Sequence, residues 1–425
     1  MSRPVHPHHP SRRDVLKTGG KMVGTLVLSS LVIDLAQDQK AYAYSQEDER
    51  TEALAQGDVL LGLYPRSQYA SGDIAVAQAC KQLDWSWLKA GDSVLIKVQS
   101  NSPNAHPATT SPAAVRQMVL ELKSRGAGRV IVADQAGVQF VRLAEGNKRY
   151  GSTRDVFASN GLLAAATSAG AELYFFDEQD FETGYFAGTP TFSSSHWGYP
   201  IYVPNIIKQV QHIVYLPRIS SHMIAGYTHG HKTAIGWLRD DSRYHLHHDA
   251  ESIFEKYVEI NYVQEIVSRH RLTLTLAEAF MLDQGPDVGT VAMADPRVVI
   301  ASSQMANHDA LATPILTYID DITPPDPTVK QPYGPRANRY NYALVQGISR
   351  VSGIPWQYDD GVARYTSFEP HDYQAGLEED RALTRAFNIL GGVPASIRVK
   401  TDGAAPSSDL KTAMDTWVGG LFVWS

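Results

Sequence analysis

Val94-Leu-Ile-Lys-Val98 and Arg129-Val-Ile-Val-Ala-Asp134 are two short apolar runs, and the chain between them decides the fold. Runs of five and six residues suit buried strands and are too short for helices. Ser100 to Pro107, rich in Asn, Ser and Pro, reads as a loop. Thr110-Ser111-Pro112 then opens a helix, with hydroxyls before it and a proline in its first turn. Val115, Met118, Val119 and Leu122 make one apolar stripe, and Gly126 closes the helix. A strand, a helix and a second strand in this order form a parallel, right-handed unit.

The pattern continues outward. A helix is expected from about Ile74 to Leu88, and another over about Thr153–Ala169. Glu172–Phe176, Gln211–Leu216, Leu272–Leu276 and Arg297–Ala301 read as strands. A helix is expected near Ser252–His270, and Asp309 begins or precedes one more. The expected class is α/β, a mainly parallel sheet flanked by helices. A long Pro-rich loop over 318–340 and an irregular C-terminal region complete it. No internal repeat is visible.

The first 43 residues have a different character. Ser11-Arg12-Arg13-Asp14-Val15-Leu16-Lys17 resembles the twin-arginine export consensus at six of seven places, with Val15 where Phe is commonest. Met22–Ile33 is a mildly apolar run of 12 residues, short of the roughly 20 that span a bilayer. Ala41-Tyr42-Ala43 is a small-x-small end, so the expected cut follows Ala43. An uncleaved anchor is the other reading, because Asp34 and Asp38 make the region acidic. The resemblance implies a periplasmic or extracytoplasmic location and the twin-arginine translocase as an export partner. Residues 44–425 are then expected to form a single large α/β domain.

Composition narrows the function classes. Formal charge is −7 for the chain, and removing residues 1–43 takes away six basic and three acidic residues, leaving −10. That balance speaks against nucleic acid as a partner. No later stretch is apolar enough to be a transmembrane segment. Cys80 is the single cysteine, so an iron–sulfur cluster, which needs about four thiolates, is excluded as a cofactor. Cys80 lies in a helix-like run and is read as a small core residue.

Ligands of open parallel sheets bind beyond the carboxyl ends of the strands. Lys97, Asn101, Asp134 and Asp309 are expected at that rim. The most unusual stretch is 218–249. It carries Arg218, His222, Thr228, His229, His231, Lys232, Arg243, His245, His247 and His248, and half of the twelve histidines that follow residue 43. Two chemistries suit it. Neutral imidazoles with a carboxylate are transition-metal ligands, and His229, His231, His245, His247 and His248 are the candidates. Alternatively, Arg218, Lys232 and Lys97 with backbone N–H groups hold an anionic small molecule. In either case His222, Lys232, Asp134 and Asp309 are the candidate catalytic groups, His222 because imidazole titrates near neutrality. No Gly-x-Ser-x-Gly elbow, P-loop or His-Glu-x-x-His occurs.

Over about 90–315 these residues resemble the family called domain of unknown function 362. The similarity runs through Ile96-Lys97, Ser111-Pro112, Gly126-Ala127 and Val130–Asp134. It continues through Leu216-Pro217-Arg218-Ile219-Ser220-Ser221-His222, Thr228, Lys232-Thr233 and Gly236. Gly285-Pro286-Asp287-Val288-Gly289 and Ala301-Ser302 through Ala306 to Asp309 complete it. Four positions depart from the family pattern: Val98-Gln99, Ser220, Thr233 and Gln304. The resemblance implies a fold and a site, and no reaction. Three readings stay open: an exported small-molecule or metal-binding enzyme, a non-catalytic periplasmic binding or metal-handling protein, and a partner-binding domain with a decayed site.

Overall fold

A computed structural model describes residues 53–222, 225–248, 252–283, 285, 287–329 and 373–425. The export segment and residues 330–340 of the expected loop lie outside the described residues. Residues 51–425 cluster as one compact unit.

In chain order the elements are β1 Val59–Tyr64, α1 Gly72–Cys80, β2 Ser93–Val98, α2 Pro112–Ser124 and β3 Arg129–Asp134. Next come α3 Thr153–Asn160, α4 Leu162–Ser168, β4 Glu172–Phe175 and β5 His212–Leu216. A small hairpin follows, β6 Ser220–His222 and β7 Gly226–Thr228, then a 3-10 turn His231–Trp237, α5 Asp240–His248 and α6 Ile253–Ile260. The chain ends with β8 His270–Met281, β9 Val291–Ser302, α7 Met305–Ile322, α8 Arg381–Ile389, β10 Ile397–Gly403, α9 Ser408–Trp417 and β11 Phe422–Trp424.

Among the described residues eleven strands share one sheet, with the path β11-β10-β1-β9-β8-β5-β2-β3-β4 and the hairpin β6–β7 beside β8. From β8 to β4 every neighbour is parallel. Only β9, antiparallel to β1 and β8, and the β6–β7 hairpin break the pattern. The expected α/β class with a mainly parallel sheet is what the chain adopts.

The continuous apolar runs follow from burial on both faces. Leu95, Ile131 and Ala133 enter one core, and Val94, Ile96, Val130 and Val132 enter the other. Successive strand side chains point to opposite faces, so both must be apolar when helices cover both. Each fully buried Val, Leu or Ile contributes roughly 1.5–3 kcal/mol by leaving water. Cys80 is wholly buried in the second core. Lys97 sits two residues after Leu95 and therefore faces the first core.

Several boundaries differ from the expected ones. The helix expected over Thr153–Ala169 is two helices, because Gly161 takes a left-handed φ of 88° between them. The run expected as one helix to His270 is broken after Ile260 and resumes as a short helix, Gln264–Val267, and His270 begins β8. Helix α7 runs through Pro314 to Ile322, into the segment expected as loop. Regular structure also occupies the described tail: β10 lies parallel to β1, and β11 to β10.

Candidate functional site

Strands β2, β3 and β5 end on one edge, and a cleft of about 360 Å³ opens there. Asn101, Asp134, Arg218, His222, Thr228 and Lys232 line it, and His247 joins them from α5. The geometry thus gathers seven of the expected residues. Lys97, His229, His231, His245 and Asp309 do not line it. His248 closes α5, and its side chain lies outside the described residues.

Behind the cleft, Lys97 is paired with Asp134, which lines it. The Lys97 ammonium is 2.5 Å from Asp134 Oδ1 and donates also to the carbonyls of Val98 and Thr233, each at 2.9 Å. Three acceptors meet its three protons. Asp134 Oδ2 accepts from the Ser100 amide at 2.8 Å. Burial pushes Lys97 down and Asp134 up, each towards its neutral form, and each partner's charge opposes that. Lys97, expected as a ligand-binding group, is instead committed to the protein. It fastens β2 to β3 and to the turn at Thr233. Gly236 completes this contact, since a Cβ there would collide with the Asp134 carboxylate and the Lys97 ammonium.

Arg243 ties the same parts from the other side. It donates to the Ala136 carbonyl at 2.7 Å, to Gln135 at 3.0 Å and to Gly236 at 3.3 Å. Its neighbour Asp240 accepts from Gln135 Nε2 and from the Leu143 amide. Burial raises Asp240 to about 6. The sequence had flagged Arg243 only as part of a basic stretch. The Asp240-x-x-Arg243 spacing, one helical turn, was the signal for an internal strap.

Lys232 is the opposite case. It lines the cleft, half-buried, and among the described residues its ammonium makes no hydrogen bond or ion pair. Burial comes first and the nearby Arg218 second in lowering it to about 7, against a weaker pull from Asp287. Arg218 is itself lowered to about 10 by burial and donates to the Pro107 carbonyl at 2.9 Å. Among the described residues, the carboxylates that line the cleft are engaged elsewhere: Asp134 by Lys97, and Asp287 by Asn101 Nδ2 at 2.9 Å.

Two imidazoles flank this amine. His222 Nδ1 accepts from the Ala225 amide at 3.2 Å, so its proton is carried on Nε2. His247 Nδ1 donates to the Arg243 carbonyl at 2.7 Å, so its Nε2 bears a lone pair. Burial, then cations including Lys232, hold His222 well below the usual histidine value. Burial is also the first cause for His247, held at about 4. Both are neutral near pH 7. The hairpin beneath has spare polar capacity: Thr228 Oγ1, Ser220 Oγ and Ser221 Oγ are buried without partners among the described residues.

Asp309 anchors the turn that presents Lys232. It accepts from the Gly230 amide at 2.8 Å, the His231 amide at 2.9 Å, His231 Nδ1 at 2.8 Å and His308 Nδ1 at 2.7 Å. A Cβ on Gly230 would stand 2.7 Å from that carboxylate, so the close approach requires glycine. The far nitrogens face Tyr262 Oη at 3.3 Å and Thr275 Oγ1 at 2.9 Å. The His231 and His308 bonds outweigh burial and hold Asp309 far below the carboxylate range. Asp309 and His231, expected as catalytic and metal-binding, are buried structural groups. His308 was not anticipated; its only sequence signal is adjacency to Asp309.

The expected metal ligands are scattered. His229 donates to the Thr228 carbonyl at 2.7 Å and stacks on Tyr227 at 4.4 Å. His245 stacks on Tyr199 at 3.9 Å, on a different side of α5 from His247, because residues two apart do not share a helix face. Metal centres need donors about 2.0–2.2 Å from one point. Among the described residues no group of three or more His, Cys, Asp or Glu could hold a metal ion. The described histidines do not fit a shared transition-metal centre.

No curated protein matches the chain. Solved structures are similar over part of it. The lactate racemase apoprotein from Thermoanaerobacterium thermosaccharolyticum aligns at a TM-score of 0.37 and 13% identity, over 62% of this chain and 59% of that one. A protein from Thermotoga maritima aligns at 0.36 and 13%, over 57% and 58%. The chain thus spans less than two thirds of the length of either. The signature residues that build the cleft fall inside the stretch matched by a family profile: the chain belongs to the domain of unknown function 362 family, over residues 94–314.

Proposed function

We propose that this chain is an exported protein whose cleft holds an anionic small molecule and moves protons on it. The observation that carries this reading is Lys232, a cleft ammonium with no counter-ion bonded to it among the described residues, beside Arg218. An anion entering there would find cations already desolvated, where charge-assisted hydrogen bonds are strong. His222 offers an N–H and His247 a lone pair, the donor and acceptor that proton transfer needs. Export rests on Ser11-Arg12-Arg13-Asp14-Val15-Leu16-Lys17.

Calorimetric titration of the full chain with inorganic phosphate and small carboxylates tests the binding. Saturable binding that weakens by about ten- to a hundredfold in Lys232→Met, the loss of one charged hydrogen bond, is expected. Equal binding by both proteins would place the anion elsewhere. Binding without turnover of any bound acid would favour the non-catalytic reading.

A further inference from the structure

We propose that Lys232 is a nucleophile that forms an imine with the carbonyl group of a 2-oxo acid seated in the cleft. This deepens the anion-site reading and rests on it for the seating of the carboxylate.

The first support is the contrast between the two lysines of the site. Lys97 gives its ammonium protons to three acceptors, so its nitrogen has no free lone pair. Lys232 is bonded to none among the described residues and faces the cavity. The second support is the company it keeps. Arg218, His222 and His247 share the cavity, and Asp134 and Asp287 are bonded to Lys97 and Asn101. Burial and the Arg218 guanidinium disfavour the ammonium and favour the free amine, the form that attacks carbonyls. The third is rigidity. On one side of Lys232 the His231 amide is held by Asp309, and on the other the Thr233 carbonyl is held by Lys97. The amine therefore stands on a turn pinned at both flanks, the preorganisation that attack geometry needs. Ala225, Ile235 and Ile253 supply apolar lining. The substrate class follows from the lining: Arg218 and Lys232 face one cavity, which suits a molecule with a carboxylate for the first and an adjacent carbonyl for the second.

The step balances without an oxidant or reductant. The Lys232 lone pair bonds to the carbonyl carbon, and the C=O π pair moves to oxygen. Nitrogen loses a proton to His247 Nε2, and the oxygen gains one. The resulting hydroxyl then leaves as water with the proton held on His247, and the nitrogen lone pair closes the C=N bond to give an iminium. Net, the oxygen's proton is taken from solvent, one water is released and one protonated imine is formed.

The full chain is incubated with pyruvate, 2-oxobutyrate or 2-oxoglutarate and cyanoborohydride, and each lysine is read by peptide mass spectrometry. The expected result is reductive labelling of Lys232 at least about tenfold above every exposed lysine, since an ordinary lysine is neutral only about once in a thousand near pH 7.5. Lys232→Arg, with its thermal unfolding recorded as a fold control, loses that label. Labelling of Lys232 no higher than that of exposed lysines with all three acids overturns the imine, whether or not phosphate binds. Labelling at Lys232 without phosphate binding supports the amine and removes the anion reading.

Discussion

The rim of the parallel strands and the buried layer behind it are built from the same residue types, used in opposite ways. Behind the rim, Asp309 meets four donors, and His231 and His308 use both ring nitrogens. Lys97 meets three acceptors. At the rim Lys232 meets none among the described residues, and the hydroxyl of Thr228 is unanswered. A buried polar group with all its bonds made holds a fold; one left open costs stability unless something else completes it. The difference separates scaffold from site more sharply than residue type does.

The comparison breaks first at Asp309. Asp309→Ala strands two imidazole donors and two amides, and about 3–5 kcal/mol of stability should be lost, read by denaturant unfolding. A loss under about 1 kcal/mol would mean that the network is ornamental. Lys97→Met comes next: it leaves Asp134 charged and buried, again at about 3–5 kcal/mol, and adding Asp134→Leu should recover most of it. If the double variant is as unstable as the single one, the pair does more than neutralise itself.

At the rim, Lys232→Met should leave stability unchanged or raise it by about 1 kcal/mol, because a poorly solvated cation is removed. A melting temperature lowered by several degrees would make Lys232 scaffold. The smallest effect concerns acid. His247 and His229 titrate near 4 in the fold, below their usual range. The unfolded chain therefore binds more protons between about pH 6.5 and 4, and stability should fall as pH drops through that window. His229→Gln should flatten the profile, and an unchanged slope would mean that His229 is not held neutral.

Much of this division was legible in the sequence, and the rest was hidden for physical reasons. The β2–α2–β3 unit could be read because its strands are neighbours in sequence and its helix begins at Pro112 and is followed by Gly126. Strand β1 escaped notice although Val59–Tyr64 is wholly buried, because its partners β9 and β10 lie hundreds of residues away. The three-residue β11 carries almost no pattern. Of the basic stretch, Arg218, His222, Thr228, Lys232 and His247 share a cleft. Its histidine density misled, because density says nothing about direction. Once Asp240–His248 is a helix, His245 and His247 point to different sides. Nor can a sequence tell Lys97 from Lys232: their difference is a list of acceptors, supplied by Val98, Asp134 and Thr233 for one only.

The most direct test of the central claim is the pH dependence of phosphate affinity from pH 6 to 9, measured by calorimetry on the wild-type chain and on Lys232→Met. Burial and Arg218 set Lys232 near 7. Anion binding needs the protonated form, so affinity should fall by up to about tenfold per pH unit above that value, beyond any change due to phosphate itself. Lys232→Met should bind weakly with only the phosphate dependence left. A wild-type profile that parallels the variant's would contradict the account.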